Sequence, residues 1–237
     1  MRRAKALIRP IENVVGPSGI SVKAVNADTG ATFTYGADGG MLTGSIVKLL
    51  ILEVLLLRHQ QRDTQMTSYE EEAAEEMIEN SDNDAGERLF NVDGRADGLD
   101  NAASQLGLKN THANDHYGLT RTCAADFVRL VRNANAPGPL TAASRDYILD
   151  LQANIESDQR WGVSAAADKG TVTHLKNGWL DVDDDGGKWL VNSVGSLTVH
   201  GHAVYLAVLT QHNPDFHGGI RRVEQLATIA AAVVAPK

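Results

Sequence analysis

Ser45-Ile46-Val47-Lys48-Leu49-Leu50-Ile51-Leu52-Glu53-Val54-Leu55-Leu56-Leu57 opens the most apolar run of the chain. From Ser45 to about Arg58 its apolar residues surround the whole helical circumference. Such a helix is buried on all sides, at the centre of a fold rather than on its surface. Ser45 and Lys48 are three residues apart, which on a helix puts both side chains on one face, one turn apart. At the helix start, Ser45 also meets the positive end of the helix dipole. A serine hydroxyl is a poor nucleophile until a base takes its proton. Lys48 lies among Ile46, Val47, Leu49 and Leu50, and burial among such residues lowers a lysine pKa toward that of a usable base. Alone, the spacing is a weak signal.

Outward from this helix the pattern changes twice. Before it, Ala4 to Val15 reads as an amphipathic helix stopped by Gly16-Pro17-Ser18-Gly19. Ile20 to Val25 and Ala31 to Tyr35 read as a hairpin about Asn26-Ala27-Asp28-Thr29-Gly30. After it comes a block of helices: Thr67 to Asn80, Asp84 to Phe90, Leu99 to Leu106, Leu119 to Val131 and Ala142 to Asn154. In the first of these the glutamates form a solvated face, and Ala73, Ala74, Met77 and Ile78 face inward. Beyond Gly162 three strands follow, Val172 to Trp179, Lys188 to Leu197 and Ala203 to Leu209, and Gly218 to Val234 closes as a helix. The order predicts an α+β fold: one five-stranded antiparallel sheet flanked by the terminal helices, with an all-helical lobe inserted. The expected division is an α/β lobe of residues 1–44 and 160–237 and a helical lobe of 45–159, together one domain.

Two further motifs carry chemistry. In Ser81-Asp82-Asn83 the serine can relay a proton to a leaving group and Asn83 can bind a substrate amide. The same residues equally suit the N-terminal cap of the helix that follows. In Lys176-Asn177-Gly178, Lys176 on a strand can fix a substrate carboxylate or set the Ser81 proton. Gly178 lets a substrate approach the strand backbone closely. The alternative there is an ordinary turn or bulge.

Composition narrows the function classes. The net charge of −8 over 237 residues, with no Lys/Arg stripe, argues against a nucleic-acid surface. The single Cys123 excludes an intramolecular disulfide and reads as a small buried core residue. The longest apolar run is interrupted by Glu53 and is too short for a membrane span. The first ten residues lack a signal-peptide apolar core, although the mature part of an exported protein looks the same. The expected compartment is therefore open: secreted or periplasm-like if a signal has been removed, otherwise cytoplasmic. The histidines from His200 onward and the aspartates at 181–185 lack metal-ligand spacing, so neither a metal nor a cofactor is expected.

S-x-x-K, then S-D-N, then K-T-G is the signature set of class A β-lactamases and penicillin-binding proteins, and this chain resembles that family over nearly its whole length. The resemblance implies Ser45 as nucleophile, Lys48 as its proton acceptor, Ser81 as proton shuttle, Asn83 as a substrate-positioning group and Lys176 on the carboxylate side. It implies an oxyanion hole from the backbone N–H groups of Ser45 and Trp179. The chain departs from the family in three ways. Asn177 stands where a hydroxyl residue is usual, and as a substrate contact its reach differs. The spacing from Ser45 to Ser81 is short, so the helical lobe is trimmed. Between Leu106 and Leu119 no glutamate is present to activate a deacylating water, and that stretch offers only His112, Asp115 and His116. Asp115 and His116 are the substitute candidates, and an accumulating acyl-enzyme is expected. The implied activity is β-lactamase-type hydrolysis of a β-lactam or related amide by a serine. A D-Ala-D-Ala-type peptidase or biosynthetic acyl transferase, and a penicillin-binding-like protein with little turnover, are the alternatives. The expected partner is a small-molecule or peptide amide, and the expected state a monomer.

Overall fold

The computed structural model describes residues 2–237. Its main sheet has five strands, β1 (Ile20–Asn26), β2 (Thr32–Gly36), β5 (His174–Val182), β6 (Lys188–Val199) and β7 (His202–Asn213), in the order β2-β1-β7-β6-β5, every pairing antiparallel. β5 is therefore an edge strand. Two short strands, β3 (Met41–Leu42) and β4 (Arg121–Thr122), pair separately. α1 (Arg2–Val15) and α8 (Phe216–Val234) cover one face of the main sheet. Against the other face lie α2 (Val47–Arg62), α3 (Ser68–Glu79), α4 (Asn83–Val92), α5 (Arg95–Leu106), α6 (Ala124–Asn135) and α7 (Ala142–Ala153).

The two-residue period of a strand divides the core in two. Along β7, Val204, Leu206 and Val208 pack with Ile8, Ile11, Leu226 and Ala230 of the terminal helices. Tyr205, Ala207 and Leu209 pack with Leu49, Leu50, Phe127 and other residues of the helical block. α2 runs through that second core, with every residue from Val47 to Leu57 buried, Lys48 and Glu53 included. Burial pushes the Glu53 carboxyl well above the usual carboxylate range, and it meets the Asn133 amide. α3 opens on a capping box: Thr67 accepts from the Glu70 backbone, and the Glu70 side chain accepts from the Thr67 backbone.

The expected α+β fold, its five-stranded antiparallel sheet and its terminal helices are all present. Several boundaries differ, and two of these bear on the site. Ser45 is not inside α2 but in a single 3-10 turn, Gly44–Ile46, that leads into it. The helix expected from Leu119 starts only at Ala124. The residues before it form a 3-10 turn, Tyr117–Leu119, and then β4, because Arg121 pairs with both Leu42 and His112.

Candidate active site

The site lies where the Ser45 turn, the α3–α4 junction and the edge strand β5 meet. Its tightest approach is between Gly178 and the Ser45 turn. A Cβ on Gly178 would stand 2.7 Å from the Ser45 nitrogen, 2.6 Å from that of Ile46 and 2.8 Å from the Thr43 carbonyl. Gly178 is thus required by the chain's own turn. Gly44 reciprocates. It has φ of +53°, and a Cβ there would lie 3.1 Å from the Trp179 nitrogen. The Ser45 and Trp179 N–H groups accordingly flank one junction, as a two-donor oxyanion hole needs. Asn192 braces the turn from β6: its amide donates to Leu42 O at 2.8 Å and Thr43 O at 2.9 Å, and its own oxygen accepts from Thr210 N. Nothing in the sequence pattern marked Asn192, a buried polar residue inside a strand run.

Lys48 and Lys176 reach Ser81 from two sides. Lys48 Nζ donates to Ser81 O at 2.6 Å and Asn83 Oδ1 at 2.8 Å, with Ser81 Oγ at 3.4 Å. Lys176 Nζ donates to Ser81 Oγ at 2.8 Å and to its neighbour's carbonyl, Asn177 O, at 3.3 Å. Ser81 presents carbonyl and hydroxyl together because its backbone is left-handed, φ +58°, a conformation worth ~1–3 kcal/mol of strain for a residue with a Cβ. Asp82 begins α4 by capping Ala85 N at 2.7 Å, so the helix-cap reading and the chemical reading of this motif both hold, on different residues. Burial lowers the Lys48 ammonium to about 8, against the opposing charge of Asp82. Burial, then the charge of Lys48, holds Lys176 well below the ordinary lysine range. Ser45 is half-buried, and its backbone lies against Gly178, two residues on from Lys176.

Three expected site residues lie elsewhere. Asn177 alternates with Lys176 and Gly178 along β5, so its side chain points to the other face. It is buried and donates to Gln159 O at 2.6 Å and Trp161 O at 3.3 Å. It ties the approach to β5 in place, and its amide is not available to a substrate. Asp115 and His116 are exposed. Asp115 pairs with Arg95 at 3.4 Å, Arg95 also holds Glu87 at 2.7 Å, and neither Asp115 nor His116 hydrogen-bonds to Ser45, Lys48, Ser81 or Asn83. The long, solvated loop favours an ion pair with Arg95 over a place beside the nucleophile.

The residue of that loop that does reach the cluster is Tyr117. Its hydroxyl lies 3.2 Å from Asn83 O and 3.4 Å from Asn83 Oδ1, and its ring centroid lies 6.0 Å from Lys48 Nζ. A Cβ on Gly86 would meet Tyr117 Oη at 3.0 Å and Lys48 Cε at 3.1 Å, so both side chains lean on this one glycine. Tyr117 is neither an acid nor a base of that loop, and its signal in the sequence is a lone aromatic flanked by Gly118 in a polar stretch.

On the far side of β5, all three tryptophans gather around Phe216. Trp161, Trp179 and Trp189 have ring centroids 6.1, 5.8 and 5.3 Å from it.

Comparison with known proteins bears on the fold and the family. The chain is 25% identical over 188 residues to LppW of Mycobacterium tuberculosis, named as a candidate lipoprotein. The match takes in 75% of this chain and 59% of the relative, so the chain spans about three-fifths of that protein's length. The fold is shared with a β-lactamase from Xanthomonas campestris pv. campestris (TM-score 0.83, 14% identity, 98% of each chain). It is shared with the TLA-1 extended spectrum β-lactamase (TM-score 0.80, 17% identity, 98% of this chain and 99% of that one). It is shared too with PBP-A (TM-score 0.78, 21% identity, 94% of each), a variant of which was solved as an acyl-enzyme with penicillin G. The sequence matches the family described as "Beta-lactamase enzyme family" over residues 61–234, most of its length, and the chain belongs to that family.

Proposed function

We propose that the chain is a serine acyl-enzyme former that opens the amide of a β-lactam or of a related acyl amide, with Ser45 as nucleophile. Membership of the family supports a serine hydrolase of the β-lactamase and penicillin-binding type; the activity, the substrate and the residue roles are the proposal. The observation that carries it is the convergence of Lys48 and Lys176 on Ser81, beside the Ser45 turn. Neutral Lys48 takes the Ser45 proton as Oγ bonds to the carbonyl carbon. The oxygen gathers charge between the Ser45 and Trp179 N–H groups. The C–N bond then breaks, and Ser81 Oγ passes a proton to the departing nitrogen, refilled from the lysine side. Lys176, buried beside Ser81, suits a substrate with a carboxylate next to the amide, whose negative charge would favour the protonated amine.

An extracytoplasmic location is part of the same reading, supported by the name of LppW. No helix among the described residues is long and apolar enough to cross a membrane. Incubation with a fluorescent penicillin, then intact mass and peptide mapping, tests the activity. One adduct per chain on the peptide holding Ser45 supports it. A label on Ser81, Ser21 or Cys123, or no adduct from any acyl amide, defeats it.

A further inference from the structure

We infer that Tyr117 sets the lifetime of the acyl-enzyme, by walling the nucleophile cluster off from two carboxylates, Glu87 and Asp115, that could activate water. This deepens the proposed function and rests on it. The Tyr117 backbone is fixed to the nucleophile turn. Thr43 Oγ1 donates to Tyr117 O at 3.4 Å and Gly118 O at 3.3 Å, and Thr43 N donates to Thr120 O at 3.0 Å. The hydroxyl end reaches Asn83, and Phe90 meets the ring edge-on at 5.6 Å. The side chain therefore spans from the Ser45 turn to α4, past Lys48.

On its outer side lies a cavity of about 450 Å³ lined by Glu87, Arg95, Asp115, His116, Tyr117 and Gly118. Glu87 and Asp115 are both held there by Arg95. On its inner side are Lys48 and Asn83. The phenol cannot replace a carboxylate as base. Burial, then the charges of Glu87, Asp82 and Asp84, pushes it up to about 12, so it stays protonated. Hydrolysis of the ester requires a water to add to the carbonyl carbon, lose a proton to a base, and expel Ser45 Oγ, which regains one. With the ring in place the carboxylates are on the wrong side of it. With the ring removed, the outer cavity opens onto Lys48 and Asn83.

The test compares wild type with Tyr117→Ala, Tyr117→Ser and Tyr117→Phe, following acylation and decay of the Ser45 adduct by intact mass after excess penicillin is removed. The expected result is that Tyr117→Ala and Tyr117→Ser shorten the adduct lifetime by ~10²-fold or more, the lower end of general-base effects. The lifetime is read from adduct decay alone, so any change in the acylation rate does not enter it. Tyr117→Phe, which keeps the wall and loses only the hydroxyl, retains the wild-type lifetime. Adding Glu87→Gln to Tyr117→Ala is expected to restore part of the lifetime. A stoichiometric adduct with unchanged lifetime in both opened variants overturns the inference alone, as does equal shortening in Tyr117→Phe. Absence of any adduct in wild type overturns the proposed function with it. Should Tyr117→Ala lose its fold, Tyr117→Ser and Tyr117→Leu bracket the same question, since leucine keeps most of the wall.

Discussion

Acylation should depend on pH through Lys48, and the structure gives both the sign and the size. Burial brings this lysine from 10.5 down to about 8. At pH 7 about a tenth of it is then neutral, against roughly three in ten thousand for an ordinary lysine, a gain of ~300-fold in available base. At ~1.4 kcal/mol per pH unit this is ~3 kcal/mol, part of which returns as weaker intrinsic basicity. The protonated form cannot accept the Ser45 proton. The second-order rate of labelling by a fluorescent penicillin is therefore expected to rise about tenfold per unit from pH 5.5 to 7 and to level off above about 8. Stopped-flow fluorescence with a non-reacting buffer series measures it directly. A rate flat from pH 6 to 9, or an unchanged inflection in Lys48→Arg with full activity, would refute Lys48 as the base.

The same shift has a cost in stability. The unfolded chain holds the Lys48 proton up to 10.5 and the folded chain only to about 8, so stability should climb between those values and gain nothing from Lys48 below them. Lys48→Met, which keeps the volume, is expected to unfold ~1 kcal/mol later than wild type at pH 7. The lost bonds to Ser81 O and Asn83 Oδ1 offset the rest. The gap should narrow toward pH 10, and a calorimetric series that shows it widening would contradict the sign. Asn177→Thr is expected to lower stability by ~1–3 kcal/mol, because it orphans the carbonyls of Gln159 and Trp161, and to leave penicillin labelling no faster. A faster, equally stable variant would restore Asn177 as a substrate contact. Gly178→Ala drives a methyl group into the Ser45 nitrogen, and labelling should fall by ~10²-fold or more, the scale of losing an oxyanion donor. Normal labelling would mean that the turn can move aside.

Much of this was legible before any coordinates, and the misses share a physical pattern. The α2 run, the strands β6 and β7 and the helix cap within Ser81-Asp82-Asn83 are local signals, carried by residues a few positions apart. Lys48, Ser81 and Lys176 were legible because their residue types and order are those of a known chemistry. The packing of Gly178 against the Ser45 turn was not legible, since sequence cannot say which part of the chain a glycine lets approach. Asn177 was misread for a related reason: the strand period placed it on the opposite face from Lys176, but the carbonyls waiting there belong to residues far back in the chain. β4 is two residues long and has no periodicity, so the α6 boundary moved. Tyr117 and Asn192 act through contacts with residues 34 and 149 or more positions away, which no local pattern encodes.

The gathering of all three tryptophans around Phe216 has an optical consequence. Every indole of the protein sits in one coupled group, so intrinsic emission comes from a single place rather than as an average over the molecule. Trp179 belongs to that group, and its own amide faces the Ser45 turn. Charge building on a carbonyl oxygen at that amide would alter the field across the indole attached to the same residue. The protein thus carries its own label for the chemical step: a change in emission intensity or maximum should track acylation with an unmodified, non-fluorescent substrate, and its reversal should time the return of free Ser45.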